Sequence, residues 1–194
     1  MRSITVLKIG GSLARSEAAA QLMRGLSARK VRDLLIVPGG GDFADAVRAA
    51  QAAQGFSDAA AHRMALLAMH TMAIALSDLA AGFAVAENTA QFESAWRVGD
   101  TPVWAPASMV LAAADMPASW DVTSDSLAAW LAGEIDAARL VVVKSCALPA
   151  DVRSVRALTQ AGVVDACFAR FVEGCKFSWQ VVSGVEAALA ALAE

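Results

Sequence analysis

The sequence has little net charge and few cysteines, and both shortages exclude classes of protein. The net charge is −3 over 194 residues. Because nucleic-acid binding normally needs a basic face, nucleic acid is not expected as a main partner. The three cysteines, Cys146, Cys167 and Cys175, are odd in number and form no C-x-x-C pair. We therefore expect reduced thiols, no metal site and a cytoplasmic location, which the absence of a leader-like segment before the first predicted strand also favours.

Long apolar runs are also missing, although 57% of the residues are hydrophobic and the mean hydropathy is +0.50. The longest candidate for a membrane span, residues 64–83, is interrupted by His70, Ser77 and Asp78. A membrane is therefore not expected as a partner. Alanine-rich helices and a sheet covered on both faces explain the apolar composition instead.

Short apolar runs alternate with helix-like segments, which is typical of a mostly parallel sheet flanked by helices. No repeat or linker marks a domain boundary, so we expect one α/β domain over residues 1–194. Strands are predicted at residues 4–9, 33–38, 83–86, 102–105, 139–144 and 177–182. Helices are predicted at residues 16–28, from 42 onward, and at 58–81, 89–98, 108–114, from 124 onward, 152–161, 163–172 and 185–193.

The first predicted strand ends in an arrangement suited to binding phosphate. Its apolar run contains Lys8 and continues into Gly10, Gly11 and Ser12, ahead of a predicted helix. Glycines let backbone N–H groups approach an anion, the start of a helix adds partial positive charge, and Lys8 adds a full charge. The same residues would also fit an ordinary turn whose lysine reaches solvent.

A second glycine turn favours the phosphate interpretation. Gly39, Gly40 and Gly41 follow another apolar run and again precede a helix-like segment. The carboxyl ends of parallel strands lie at one edge of a sheet. We therefore expect the two turns to hold one small anionic ligand between them.

Two charged residues farther along the chain are candidates for the same site. Asp125 lies in the first turn of a predicted helix, close behind Thr123 and Ser124, and ordinary capping chemistry could also explain it. Lys144 ends a valine-rich strand, and only four lysines occur in the chain. Since an isolated lysine normally belongs on a polar face, the ends of two apolar strands are unusual places for Lys8 and Lys144.

The predicted helix at 58–81 carries His62, Arg63 and His70. The histidines are eight residues apart and lack the four-residue spacing of a metal pair on a helix. Arg63 is a candidate for binding a phosphate or carboxylate, with a solvated arginine at the start of a helix as the equal alternative. His62 is a weaker candidate beside it.

Three motifs occur in one order: Lys-x-Gly-Gly-Ser, then Pro-Gly-Gly-Gly, then Ser-Asp-x-Leu-Ala-Ala before a valine-rich strand. Together they resemble the amino acid kinase family, and the similarity extends over most of the chain. The resemblance implies a three-layer α/β/α sandwich around a mainly parallel sheet. It also implies an ATP-dependent kinase, with Mg²⁺ arriving on the nucleotide. The Walker motif G-x-x-x-x-G-K-[ST] is absent, in keeping with an unrelated phosphate-binding design.

The resemblance implies a role for each matching residue. Lys8 would stabilise the transferring phosphoryl group, Asp125 would hold the catalytic lysines, and Lys144 would contact the nucleotide or the transition state. The resemblance also implies that the nucleotide is bound by Gly10, Gly11, Ser12, Lys144 and Ser145. The acceptor would be bound by Gly39, Gly40 and Gly41.

Two further segments narrow the resemblance. Residues 58–69 and 162–165 are similar to a branch of the family that phosphorylates an aminomethyl-furan-methyl phosphate in methanofuran biosynthesis. If the acceptor is already a phosphate, Arg63 and His62 are the expected residues to bind it.

Residues 144–149, KSCALP, depart from the Thr-Asp-x-Asp-Gly of many relatives, and the later Gly-Gly-Met-x-x-Lys segment is missing. A non-catalytic nucleotide- or anion-binding subunit is therefore the alternative, and a homo-oligomer is expected in either case.

Overall fold

The structure, a computed structural model, describes residues 2–14 and 16–193, which form six strands and ten helices. The strands are β1 (Thr5–Ile9), β2 (Leu34–Pro38), β3 (Phe83–Ala86), β4 (Thr101–Trp104), β5 (Arg139–Lys144) and β6 (Ser178–Ser183). The helices are α1 (Gly11–Ala14), α2 (Glu17–Arg29), α3 (Gly41–Gln54), α4 (Asp58–Asp78), α5 (Thr89–Val98), α6 (Ala107–Ala112), α7 (Ser124–Glu134), α8 (Val155–Gln160), α9 (Phe168–Val172) and α10 (Val185–Ala191).

The six strands form one parallel sheet in the order β3-β4-β2-β1-β5-β6. The central strand β1 lies between β2 and β5, and Lys8 is in register with Val37 on one side and Val142 on the other. The ends of β1, β2 and β5 therefore meet at the carboxyl edge of the sheet. The predicted fold class, an α/β/α sandwich around a mainly parallel sheet, is confirmed.

Helices cover both faces of the sheet, and each face has its own apolar core. One core contains Val6, Val37 and Val142 together with side chains of α5, α7 and α9. The other contains Leu7 and Ile36 together with side chains of α2, α4 and α10. Because neighbouring residues of a strand point to opposite faces, each central strand contributes to both cores and reads as a continuous apolar run.

Helix α4 is long and apolar enough, by length and composition, to cross a membrane. In this fold Ala73 and Leu76 are fully buried, and with Met72 they pack into the apolar core that α2 and α10 share. Burial in a protein core accounts for an apolar helix of this length as well as a membrane does. Met64 and Leu67, on another face of the helix, are exposed.

The largest difference from the predicted elements lies after β5. The sequence predicts a helix over residues 163–172, whereas the helix there is only α9, Phe168–Val172. Val163 and Val164 are buried in a turn, and the Asp165 carboxylate is bound to the start of α7. Tertiary packing therefore overrides the local helical pattern in this segment. The predicted helix at 152–161 is likewise shorter and spans Val155–Gln160.

Candidate active site

Lys8 and Lys144 lie on the same face of the sheet, the face covered by α7. Lys8 is paired with Val142 in the neighbouring strand, and Lys144 follows Val142 by two residues. Since side chains alternate along a strand, residues two apart share a face. The register of β1 and β5 thus brings two lysines together beneath the start of α7.

Asp125, in the first turn of α7, binds both lysines. Lys8 Nζ lies 2.7 Å from Asp125 Oδ1, and Lys144 Nζ donates a hydrogen bond of 2.6 Å to Asp125 Oδ2. Lys8 and Asp125 are 2% and 3% exposed, so the ion pairs are shielded from water. Two lysines and one carboxylate leave an excess of one positive charge in a buried place, which is favourable for a phosphate group.

Burial shifts the protonation of this cluster. Desolvation lowers the pKa of Lys8 from 10.5 to about 8; the attraction of Asp125 opposes that shift and the repulsion of Lys144 adds to it. Burial alone would raise the pKa of Asp125, but the charges and hydrogen bonds of the two lysines outweigh it and hold the pKa below the usual carboxyl value. Asp125 is therefore ionised at neutral pH, and Lys8 is protonated with little margin.

The two predicted glycine turns are in direct contact beside the lysines. The Gly39 N–H donates to the Ile9 carbonyl at 2.8 Å, and a Cβ placed on Gly39 would lie 2.5 Å from the Gly11 nitrogen. Gly41 has φ +52, a conformation that side chains rarely adopt. Glycine is thus required both for the close approach of the turns and for the entry into α3.

Several backbone N–H groups of these turns remain available to a ligand. Within residues 2–14 and 16–193, the N–H groups of Gly11, Ser12, Gly40 and Gly41 donate to no acceptor. The four residues line a cavity of about 300 Å³. Unpaired N–H groups at the start of a helix such as α3 form a site for an anion.

The residues predicted to bind the nucleotide also lie close together. Ser12 Oγ and Ser145 Oγ are 2.7 Å apart and form a hydrogen bond between the turns that follow β1 and β5. A Cβ on Gly10 would lie 3.8 Å from Lys8 Nζ and 3.8 Å from Lys144 Cδ, so the Gly10 backbone runs beside both lysines. The structure therefore brings together Gly10, Gly11, Ser12, Lys144 and Ser145 around Lys8.

Asp165 holds the start of α7 in place, a role that the sequence did not indicate. Its carboxylate accepts hydrogen bonds from the backbone N–H groups of Thr123, Ser126 and Cys167 and from the hydroxyls of Thr123 and Ser126. Thr123, one of the two residues that the sequence offered as a cap, is the N-cap residue, but the Asp165 carboxylate supplies the cap. Because Asp125 lies in this same turn, Asp165 fixes the position of the residue that binds both lysines.

The cavity beside the glycine turns contains a cation other than the predicted one. Arg48 and Trp120 line it, whereas His62 and Arg63 do not. The Arg48 guanidinium lies 4.3 Å from the centre of the Trp120 ring, and the Trp120 N–H donates to the Gln51 side chain at 2.7 Å. His62 is half-buried, which lowers its pKa, and Arg63 is exposed. The only sequence signal that could have indicated Arg48 is its place in α3, the helix that follows the second glycine turn.

The chain belongs to the amino acid kinase family, whose model matches residues 3–147. A curated relative is the [5-(aminomethyl)furan-3-yl]methyl phosphate kinase of Methanocaldococcus jannaschii, 24% identical over 139 residues, which are 71% of this chain and 63% of that protein. The match thus spans less than two thirds of the relative's length. The family resemblance predicted from the three motifs is confirmed.

Solved structures of the same fold are also kinases. Uridylate kinase from Archaeoglobus fulgidus superposes with a TM-score of 0.74 at 18% identity, covering 98% of this chain and 95% of that one. UMP kinase from Ureaplasma parvum gives 0.68 at 14% identity, covering 97% and 92%. Aspartate kinase from Synechocystis gives 0.67 at 15% identity, covering 93% and 37%. At these identities the likeness establishes the fold.

Proposed function

We propose that this protein is an ATP-dependent kinase that transfers the γ-phosphoryl group of ATP to a small acceptor that is itself a phosphate. The observation that carries the proposal is the buried cluster of Lys8, Asp125 and Lys144 beside two glycine turns in contact. Phosphoryl transfer needs positioning and neutralisation of charge on the equatorial oxygens more than covalent help from the protein. Membership of a kinase family supports the same chemistry.

Each residue of the cluster has a distinct task in this proposal. An oxygen of the acceptor attacks the γ-phosphorus, the bond from that phosphorus to the bridging oxygen breaks, and ADP leaves with the bond's electrons. Lys8 stabilises the charge on the moving group, and Lys144 contacts the nucleotide side of it. Asp125 orients both lysines and stays ionised, since its two oxygens contact them. The N–H groups of the glycine turns bind the phosphates on either side.

Mg²⁺ would enter this site bound to ATP. In residues 2–14 and 16–193 no three His, Cys, Asp or Glu side chains lie close enough together to hold a metal ion. Asp125 is already engaged by two lysines. The phosphate oxygens of the nucleotide are then the ligands for the ion, which neutralises charge between the phosphates.

The cavity of about 300 Å³ is the proposed acceptor site, and its lining suits an aminomethyl-furan-methyl phosphate. Trp120 offers an aromatic surface for a furan ring, and the N–H groups of Gly40 and Gly41 face the phosphate end. Arg48, which lies 3.6 Å from Asp45 in an exposed ion pair on the same helix, adds a cation that the phosphate can bind. The relative from Methanocaldococcus jannaschii is named for this acceptor, which supports the choice.

A coupled assay of ADP release with a panel of small phosphates and carboxylates tests the proposal. We expect ATP-dependent turnover with the aminomethyl-furan-methyl phosphate and formation of its diphosphate, followed by ³¹P NMR. Arg48→Ala should raise the KM of the acceptor roughly tenfold or more, because a charged hydrogen bond is lost. Arg63→Ala is the matched comparison. An effect confined to Arg63→Ala would return the acceptor-binding role to the residue that the sequence indicated.

The alternative is a non-catalytic nucleotide-binding subunit of the same fold. The unusual residues 144–149 after β5 favour it. Binding of ATP without turnover on any acceptor of the panel would support this alternative and contradict the proposed activity. A homo-oligomer and a cytoplasmic location stay predictions, and the exposed Met64, Leu67 and Ile74 of α4 form the candidate contact surface between copies.

A further inference from the structure

A second cavity lies at the amino edge of the sheet, away from the lysine cluster. Its volume is about 860 Å³, and it is formed by the segments that precede β1, β2, β3 and β4. Arg2, which lines it, precedes Lys8 by six residues along an extended chain, a distance of roughly 20 Å at about 3.3 Å per residue. We call this the amino-edge cavity; it has no residue in common with the candidate active site.

The amino-edge cavity is positively charged in a protein whose net charge is −3. Four cations line it, Arg2, Lys30, Arg32 and Arg97, against two carboxylates, Asp33 and Asp100. The cations come from three different connections in the fold, before β1, between α2 and β2, and at the end of α5. Their convergence is therefore a property of the folded chain and not of one basic stretch of sequence.

The two carboxylates compensate only part of this positive charge. Arg2 lies 3.4 Å from Asp33 and 3.6 Å from Glu93, so its charge is balanced by neighbours. Throughout the described part of the chain, Lys30, Arg32 and Arg97 form no ion pair. Three cations facing one cavity repel each other, and a bound anion would relieve that repulsion.

The walls of the cavity are fixed and partly apolar. The Trp96 N–H donates to the Leu34 carbonyl at 2.8 Å, and the Arg2 guanidinium lies 5.3 Å from the centre of the Trp96 ring. Val98, at the end of α5, is 74% exposed. A ligand with a carbon skeleton can therefore contact apolar surface here while its charged groups meet the three cations.

We propose that the amino-edge cavity binds a small molecule carrying two or more phosphate groups, with Lys30, Arg32 and Arg97 as the binding cations. Guanidinium groups bind phosphate oxygens in pairs, and three unpaired cations match a polyvalent anion better than a single phosphate. The volume exceeds what one phosphate fills and lies within the range of small-molecule sites. This site does not depend on the proposed kinase activity.

Isothermal titration calorimetry with inorganic tripolyphosphate tests the proposal. The glycine turns and Lys8 are a second place where this anion can bind. We expect two classes of site in the wild type, of which Lys8→Met weakens only one. The triple variant Lys30→Gln, Arg32→Gln, Arg97→Gln should weaken the other by at least tenfold, since it removes several charged hydrogen bonds. Arg24→Gln, which removes one exposed charge on α2 outside the cavity, should change neither class.

Arg97→Lys and Arg97→Gln separate charge from folding. Both replace an exposed side chain, and only the second removes the charge, so the lysine variant should keep most of the affinity. A cooperative thermal melt of each variant would show that it is folded. A single class of site in the wild type that Lys8→Met abolishes, or unchanged affinity in the folded triple variant, would overturn the proposal.

Discussion

The two edges of the sheet both concentrate positive charge, but the charge is buried and closely paired at one edge and exposed at the other. At the carboxyl edge Lys8 is almost fully buried and is fixed by Asp125 at 2.7 Å. At the amino edge Arg2 and Asp33 are 3.4 Å apart with about a third of each side chain exposed. Burial strengthens the electrostatic interactions of a charged group and fixes its position, but it requires a counter-charge and shifts the pKa of the group. Exposed cations avoid that requirement and are screened by salt.

The largest expected effect comes from removing the buried carboxylate. Asp125→Asn should lower the free energy of unfolding by about 3–5 kcal/mol, because two lysines are left without a counter-charge. Asp33→Asn, the matched change at the amino edge, should cost at most about 1 kcal/mol, since its ion pair is exposed. Urea denaturation of both variants measures the difference. Equal costs would remove the distinction between the two edges.

Glycine substitutions should show a second contrast. Gly39→Ala should destabilise the fold by about 2–3 kcal/mol and abolish activity, because its Cβ would overlap the backbone of Gly11 and push the two turns apart. Gly99→Ala, at the amino edge, has φ +89 but open space around it, so only backbone strain of roughly 1 kcal/mol is expected. Thermal melts and ADP release provide the two measurements. Full activity of Gly39→Ala would contradict the close contact of the turns.

Asp165 should affect activity through position rather than contact. Asp165→Asn removes a charged cap from α7 and should cost about 1–2 kcal/mol of stability. We expect kcat to fall more than the KM for ATP rises, because Asp125 and the lysines it orients shift, whereas the backbone N–H groups of the glycine turns stay in place. Asp165→Glu keeps the charge and should recover part of kcat. Loss of stability with an unchanged kcat would reduce Asp165 to a structural cap.

The pKa of Lys8 predicts how activity depends on pH. Lys8 is charged below about 8 and neutral above it, so kcat/KM should be constant at lower pH and fall about tenfold per pH unit beyond it. Stability should move the other way. Between about 8 and 10.5 the unfolded chain binds more protons at this lysine, so the free energy of unfolding rises with pH through that window.

Lys8→Met isolates the contribution of this residue. The rise in stability between pH 8 and 10.5 should be absent from Lys8→Met and present in Lys176→Met, whose lysine is exposed. A kcat/KM of the wild type that stays flat from pH 7 to pH 10 would show that Lys8 does not carry the charge that the reaction needs.

The sequence predicts the centre of the fold better than its periphery. The strands β1, β2 and β5 are buried on both faces, and the glycines after β1 and β2 are needed for backbone contacts. Both features can therefore be recognised in the local sequence, as apolar runs and as glycine clusters. The order of the strands leaves none. It follows from which faces pack together, and it is what brings Lys8 and Lys144 onto one side of the sheet.

The proposed acceptor cavity shows why the positions of side chains are harder to predict. On α4 the residues that line the cavity are Ala65 and Met69. Arg63 is two positions before Ala65, and at 3.6 residues per turn it lies about 200° around the helix. Arg48, on α3, faces the cavity instead. The rotation of a helix about its axis is set by packing, which composition alone does not reveal. Asp165 was missed for a similar reason, because its partners at the start of α7 are about 40 residues away in sequence.

Transfer of label from [γ-³²P]ATP to the acceptor in a single turnover tests the central claim most directly. The wild type and Lys176→Met should give labelled diphosphate at equal rates. Lys8→Met should be slower by about 10²–10³-fold, the effect of losing one preorganised group that stabilises charge in a transition state. Equal rates for Lys8→Met and the wild type, in chains with the same melting behaviour, would contradict the assignment of phosphoryl transfer to this cluster.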